Sequence, residues 1–208
     1  MFKKYLILLF VCLASILVAQ EESVQFIRKN LVRADASIMA GYMFKDNLNN
    51  VHLNGSIEYY LDNLISIRGS ASYMMGSTGL TADSMGLKDF HSIYIGTAFH
   101  FHTKNHFDPY VIVQPGIAYT SSFKATYTSS PKEYTKTATY AGVVSPLATV
   151  GFGFNYYFQR YAHLFMETRY VYGNHLSEAP HPISLQELRF TFGLGFNLSV
   201  HKEKEKPA

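Results

Sequence analysis

From Arg33 onward the side chains alternate, and a period of two is the signature of a strand with two unlike faces. Val32, Ala34, Ala36, Ile38, Ala40, Tyr42 and Phe44 share one parity, while Arg33, Asp35, Ser37 and Gly41 take the other. Seven further segments repeat the pattern: Val51–Leu61, Ile65–Tyr73, Ile93–Phe101, Val111–Tyr119, Ala148–Phe158, Leu164–Tyr172 and Leu188–Leu198. Beyond the first twenty residues no apolar run is long enough for a membrane-spanning helix. The chain is therefore expected to be all-β with eight strands.

That alternation explains an otherwise odd composition. Of 208 residues, 48% are hydrophobic and 16% charged, yet the mean hydropathy is −0.01, because apolar and polar residues are matched nearly one for one. This is too apolar for a disordered chain, and no Gly-X-Y repeat is present. The single cysteine, Cys12, excludes a disulfide framework. Residues 1–20 read as a secretory signal peptide: Lys3 and Lys4 form a basic start, Tyr5 to Val18 an apolar stretch, and cleavage is expected near Ala19 or Gln20. The competing reading is an N-terminal anchor helix. Of the net charge of +3, Lys3 and Lys4 supply two and the tail the rest. No basic stripe remains to argue for nucleic acid.

Connection lengths sort by side. Those near Asp62-Asn63, Thr103–Phe107 and Gln159–Tyr161 are short; those at Gly76–Lys88, Ser121–Val143 and Gly173–Ser184 are long and rich in Ser, Thr, Gly and Pro. Short turns at one end and long loops at the other describe an eight-stranded antiparallel up-and-down transmembrane β-barrel. A soluble barrel would turn the apolar face inward. Here that face is bulky and uncharged, whereas an eight-stranded interior has room only for side-chain filling, so the small and polar face belongs inside. Phe99, Phe101, Tyr156, Phe158 and Phe196 lie toward the short turns, and Tyr42, Phe44, Tyr73, Tyr119 and Tyr172 toward the long loops, as two interfacial girdles require. Pro115 sits within a strand of an edgeless sheet, where its missing N–H predicts a bulge. The expected organisation is a signal peptide (1–20), a short periplasmic segment (21–32) that is either helix or strand extension from Glu22 to Leu31, the barrel (33–200), and a charged periplasmic tail (201–208).

The chain resembles the small outer-membrane β-barrel proteins of the OmpA-barrel and OmpX type. The carriers are Asp108-Pro109-Tyr110-Val111, Gly151-Phe152-Gly153-Phe154-Asn155, Glu167-Thr168-Arg169-Tyr170 and the segment Thr191 to Leu198. Thr191, Gly193, Phe196 and Leu198 resemble the insertion signal of such barrels, although a charged tail follows them. The resemblance implies an outer-membrane location, lipid contact, and handling by periplasmic chaperones and barrel-insertion machinery. Its members differ in role, so fold alone hands over no function.

Inward charges Arg33, Asp35, Glu58, Arg68, Glu167, Arg169, Glu187 and Arg189 are expected to pair as a structural network, because charges in a narrow interior must be compensated. A three-residue turn at Asp62 would set Glu58 opposite Arg68. The other reading of the same residues is a conductive lining. His100 and His102, two apart on one strand face, are weak metal candidates, with His106 and His163 at the same end. His175 and Ser177, with Glu187 downstream, resemble the His-x-Ser and Glu of lipid A 3-O-deacylase barrels. However, Glu178 stands where that family has Asn, and the residues point inward, away from lipid; a polar loop cluster is the expected reading. No cofactor is implied. The tail is too short for a wall-binding domain. The leading expectation is a non-enzymatic envelope protein whose long loops, chiefly Ser121–Val143, meet an external partner. A narrow passage for small or hydrophobic solutes comes second and a lipid-modifying enzyme third.

Overall fold

A computed structural model describes residues 26–80, 85–101, 106–127, 134–176 and 183–199. Eight strands close into an antiparallel barrel in sequence order: β1 (Leu31–Met43), β2 (Leu48–Tyr60), β3 (Ile65–Thr78), β4 (Met85–His100), β5 (Phe107–Tyr127), β6 (Tyr134–Gln159), β7 (Ala162–Gly173) and β8 (Glu187–Ser199). Closure pairs β1 with β8, from Leu31↔Ser199 to Met43↔Glu187. No edge remains along the wall, which is how a barrel satisfies every ladder.

The period of two sets the faces. Ile38, Leu53, Ile57, Tyr73, Ile93, Phe152 and Phe192 are all more than half exposed on the outside, while neighbours of the other parity, Met39, Asn54, Glu58, Ser72 and Tyr94, are buried inside. The expected girdle residues Phe99, Phe101 and Phe196 at the short-turn end, and Tyr42, Phe44, Tyr73, Tyr119 and Tyr172 at the long-loop end, all face outward.

Several boundaries differ from the sequence reading. β1 begins at Leu31, two residues before Arg33. The described part of the preceding segment is neither helix nor strand. Phe26 and Ile27 are buried, and a turn at Lys29–Asn30 leads into β1. Asn30 takes φ 64°, a conformation Asn tolerates better than most residues. At the long-loop end, much of what reads as loop is strand. β5 runs 21 residues and β6 26, against 12 to 16 for the others. Pairing of β5 with β4 stops at Met85↔Lys124, and that of β6 with β7 at Leu147↔Gly173. The β5–β6 ladder continues to Tyr127↔Tyr134, so the described parts of Ser121–Val143 are strand, and beyond Lys124 they form a two-stranded arm. Thr and Tyr, which dominate this stretch, suit a pleated surface as well as a loop.

No bulge forms at Pro115. Pairing with β4 passes from Tyr94↔Gly116 to Thr97↔Val113 without a change of register, and Pro115 stays in step with Ala148 on β6. The ladder simply opens where the N–H is missing. The β5 backbone leans across Gly96, where a Cβ would lie 2.1 Å from the Val113 carbonyl oxygen. Gln114 crosses that glycine and donates from Nε2 to the Arg68 carbonyl on β3 at 2.7 Å. Gln114 thus ties β5 to β3 beside the opening in the β4–β5 ladder.

Candidate functional site: the filled lumen

Among the described residues, chemistry-bearing side chains converge in the lumen, and its contents change along the axis. Nearest the short turns lies a small apolar cluster of Phe26, Ile27, Leu31, Tyr60 and Tyr157. The Phe26 ring stacks on Tyr157, centroids 5.0 Å apart and planes at 13°, and tilts against His106 at 4.8 Å. This N-terminal segment corks the barrel mouth.

Above the cork sits the polar network. The turn after β2 holds register so that Glu58 pairs with Arg68 across the β2–β3 hairpin and with Arg33 across β1–β2. Glu58 accepts from Arg68 Nη2 at 2.9 Å and Nε at 3.1 Å, and also from Arg33 Nη2 and the Ser66 hydroxyl. Arg68 Nη1 reaches Glu167 at 2.8 Å, and Glu167 takes Arg169 Nη2 at 2.6 Å and the Tyr110 hydroxyl at 2.9 Å. A separate group forms higher up. Glu187 accepts from Arg189 Nε at 2.5 Å and Asn50 Nδ2 at 2.8 Å, with His52 Nε2 at 3.3 Å. Asp35 meets Arg33 Nε at 3.7 Å and takes the Ser56 hydroxyl at 2.8 Å. Two inward glycines make room. A Cβ on Gly41 would lie 2.0 Å from Glu187 Oε1, and one on Gly195 would fall 2.2 Å from both Asp35 Oδ1 and His163 Cε1.

All eight charges named from the sequence are therefore buried inside and in contact with an opposite charge. Sequence reasoning passed over Asp108, which accepts from Asn155 Nδ2 at 2.7 Å and lies 3.8 Å from Arg33 Nη1. Its parity with Tyr110 and Gln114 marks it as inward, and that signal went unused. His52 and His163 are inward as well, and each faces a carboxylate: His52 Nε2 lies 3.3 Å from Glu187 and His163 Nε2 3.1 Å from Asp35.

The metal reading of His100 and His102 finds no support in geometry. His100 is buried between Glu58 and Asp108, and His102 lies outside the described residues. Among the described residues no group of three His, Cys, Asp or Glu is arranged to hold a metal ion. Ser66 Oγ, His100 and Asp108 line up as a hydroxyl, an imidazole and a carboxylate, 3.0 and 2.9 Å apart. Glu58 also contacts His100 Nε2, at 3.1 Å, which occupies the position a proton-accepting nitrogen would need, and all four side chains are buried. At the far end, His175 is buried with Nδ1 2.6 Å from Thr120 Oγ1, and that burial lowers its pKa. Ser177 lies outside the described residues, and Glu187 is committed to Arg189, Asn50 and His52.

Beside the second ionic group, whose Arg189 guanidinium lies 4.8 Å from the Phe90 ring centroid, the lumen turns apolar. Met43, Leu48, Met74, Leu87, Phe90, Leu147 and Val171 pack with Ile183 and Leu185. The last two arrive from the β7–β8 connection, which folds inward through the Asn174↔Ser184 bridge and the Leu185 N–H to Gly173 carbonyl bond of 3.0 Å. Here the sequence expectation of a small or polar inner face does not hold.

Comparison with solved structures identifies the fold. The chain is similar to the N-terminal β-barrel domain of Pseudomonas aeruginosa OprF (18% identity over 82% of this chain and 98% of that one, TM-score 0.53). It is also similar to Neisserial surface protein A (15%, 81% and 96%, TM-score 0.52) and to the outer membrane protein OprG from Pseudomonas aeruginosa (10%, 84% and 98%, TM-score 0.57). These neighbours are outer-membrane β-barrel proteins, and the chain has the fold of the small eight-stranded barrels of that class. No protein-family description matches the sequence, and no curated protein matches it.

Proposed function

We propose that this chain is an integral outer-membrane barrel with a closed lumen, serving the envelope as a non-enzymatic structural and surface-contact protein. The observation that carries this reading is the filling of the lumen: an ionic network capped at one end by Phe26, Ile27 and Tyr157 and at the other by the Met43–Phe90–Leu185 core. A hydrated path would need an open column through the barrel, and among the described residues an apolar cluster stands across the lumen at each end. The outer wall, bulky and uncharged between two aromatic girdles, suits lipid. Short turns and both termini then face the periplasm, and the β5–β6 arm faces outward. Its single-sided stretch from Leu147 to Tyr134 rises about 40 Å along the strand, enough to carry contacts beyond the membrane surface. The last strand presents Thr191 and Gly193 inward and Phe196 and Leu198 outward, the two-faced pattern that suits uptake by the insertion machinery.

Conductance in planar bilayers tests the closed lumen. The purified protein should give no steady single-channel events, and regular unitary steps would replace this reading with that of a narrow passage. Protease shaving of intact cells tests orientation: the β5–β6 arm should be cut and the Asp62 turn protected.

A further inference from the structure

Three inward histidines stand beside carboxylates, and their surroundings differ. His52 meets Glu187 through Nε2, and His163 meets Asp35 through Nε2. In both rings Nδ1 has no hydrogen-bond partner among the described residues, so a single proton on Nε2 satisfies each contact. His100 instead has a carboxylate on both nitrogens: Nδ1 lies 2.9 Å from Asp108 Oδ1, and Nε2 lies 3.1 Å from Glu58 Oε1. An ionised carboxylate only accepts, so both nitrogens must donate, and a ring with two N–H groups is the cation.

The charge count points the same way. The buried inward residues Arg33, Arg68, Arg169 and Arg189 face Asp35, Glu58, Asp108, Glu167 and Glu187, four cations against five anions. The surplus anion sits toward the short turns, where Arg33 and Arg68 serve Asp35, Glu58 and Asp108 while Arg68 also reaches Glu167. An imidazolium at His100 completes the balance where it is lacking.

We infer that His100 is the fifth cation of the lumen and that its proton latches the N-terminal cork. The latch is a short chain of contacts. Phe26 stacks on Tyr157. The Tyr157 hydroxyl accepts from Arg33 Nη1 at 3.1 Å and donates to Asp108 Oδ2 at 3.4 Å. Asp108 in turn is held by His100. The groups facing this ring are Glu58 and Tyr60 from β2, Ser66 from β3, Asp108 and Tyr110 from β5. Arg33 and Arg68 stand behind Glu58, and His106 touches Phe26 from the β5 side. When His100 loses its proton, one of the two carboxylates loses a donor inside a closed lumen. If Nε2 is the nitrogen that empties, the Ser66 hydroxyl, 3.0 Å away, can turn from Glu58 to the ring. Glu58 then loses two donors together. Arg33, which donates both to Glu58 and to the Tyr157 hydroxyl, is drawn toward Glu58; if Nδ1 empties instead, Asp108 loses its donor directly. Either way the support of Tyr157 shifts, and the surface under Phe26 moves. The latch thus holds while His100 is protonated and releases as pH rises through its titration.

The consequence drawn for the cork rests on the closed-lumen reading, so the tests read the ring and the cork rather than current. The chain contains no Trp, which makes Phe26→Trp a single-tryptophan reporter. In detergent micelles its emission should be that of a buried indole at neutral pH, move to the red as pH is raised, and return when it is lowered. In Phe26→Trp/His100→Gln the step should vanish, because Gln does not titrate. Histidine-selective 15N spectra of the unmodified sequence need no variant to fold. They should show one imidazolium at neutral pH, assigned by its loss in His100→Gln. A neutral tautomer at His100 overturns the cation. Emission that ignores pH, or shifts equally in both Trp proteins, overturns the latch and in the second case points to His106. Steady bilayer current alone would overturn the proposed function and leave the spectroscopic results standing.

Discussion

Glu58 and Phe90 are both fully buried in one lumen, yet the half around each is filled on a different principle. Toward the short turns, five strands (β1, β2, β3, β5 and β7) contribute charges, most of which serve several partners; Glu58 alone takes two guanidinium groups, a hydroxyl and an imidazole. Toward the long loops, one compact ionic group around Glu187 and Arg189 borders apolar side chains that fill the rest of the cross-section by volume, Phe90 among them. Charged groups in a dry interior are held by direction and number, so each depends on its neighbours. Apolar groups are held by contact area, so each depends mostly on its own size. The difference teaches where the barrel is brittle. The ionic half should fail as a unit and the apolar half by increments.

The largest expected effect comes from Glu58→Ala. It strands Arg33 and Arg68 without their shared carboxylate and should lower stability by about 3–5 kcal/mol, measured by urea unfolding in lipid vesicles. A loss below about 1 kcal/mol would mean the network contributes little. Truncation in the other half, Met43→Ala, should cost roughly 2–5 kcal/mol according to how far its cavity collapses. Double-mutant cycles sharpen the contrast. Glu58→Ala with Arg68→Ala should be far from additive, because removing one partner has already broken the pair. Met43→Ala with Val171→Ala should add more nearly, with departures confined to any shared cavity. Equal coupling in both cycles would erase the distinction between the halves.

How much of this was legible follows from what each feature depends on. The outer wall depends only on parity, which a period of two states directly, and Ile38, Ile93 and Phe192 all face where their parity puts them. Glu58 opposite Arg68 depends on one turn length, and that too was readable. Arg68 meeting Glu167, with the two on β3 and β7, depends on how far the strands tilt around the closed barrel, which no local pattern encodes. The apolar half was hidden for a different reason. Leu48, Leu87, Ile183 and Leu185 sit in segments that read as turn or loop, where alternation lapses; Leu48 and Leu87 prove to be inward positions on the loop ends of β2 and β4, and Ile183 and Leu185 are carried in by the β7–β8 connection folding back. Pro115 misled because a missing N–H opens a ladder without having to shift its register, and the pairing on either side holds the strand in step.

Gly195→Ala tests a margin of the ionic half without removing a charge. The new methyl group falls on Asp35 and His163, so one of the pair must move and their 3.1 Å contact is lost. An expected cost of about 1–3 kcal/mol is that of overpacking a filled interior. It should fall in His163→Ala, where the ring no longer occupies the space. A cost unchanged in that background would assign the strain to the β1–β8 backbone instead.

The smallest effect is expected outside both halves, at the turn that sets the Glu58–Arg68 register. Asp62 is fully exposed, and its Oδ1 accepts the N–H of Leu64 and of Ile65, each at 2.7 Å. Those two bonds favour the ionised carboxylate and hold its pKa below the usual range. A depressed pKa contributes stability above the ordinary carboxylate range and loses it as pH falls through the folded value. Asp62→Asn keeps an accepting oxygen without the charge. It should therefore remove the acid dependence of the turn while leaving the neutral-pH fold almost intact. Amide exchange at Leu64 and Ile65 checks this residue by residue. Faster exchange confined to those two amides would show a turn that only trims the hairpin end. Loss of protection reaching Arg68 would show that the ionic half begins at the turn, and that its register is held from outside the lumen as well as within.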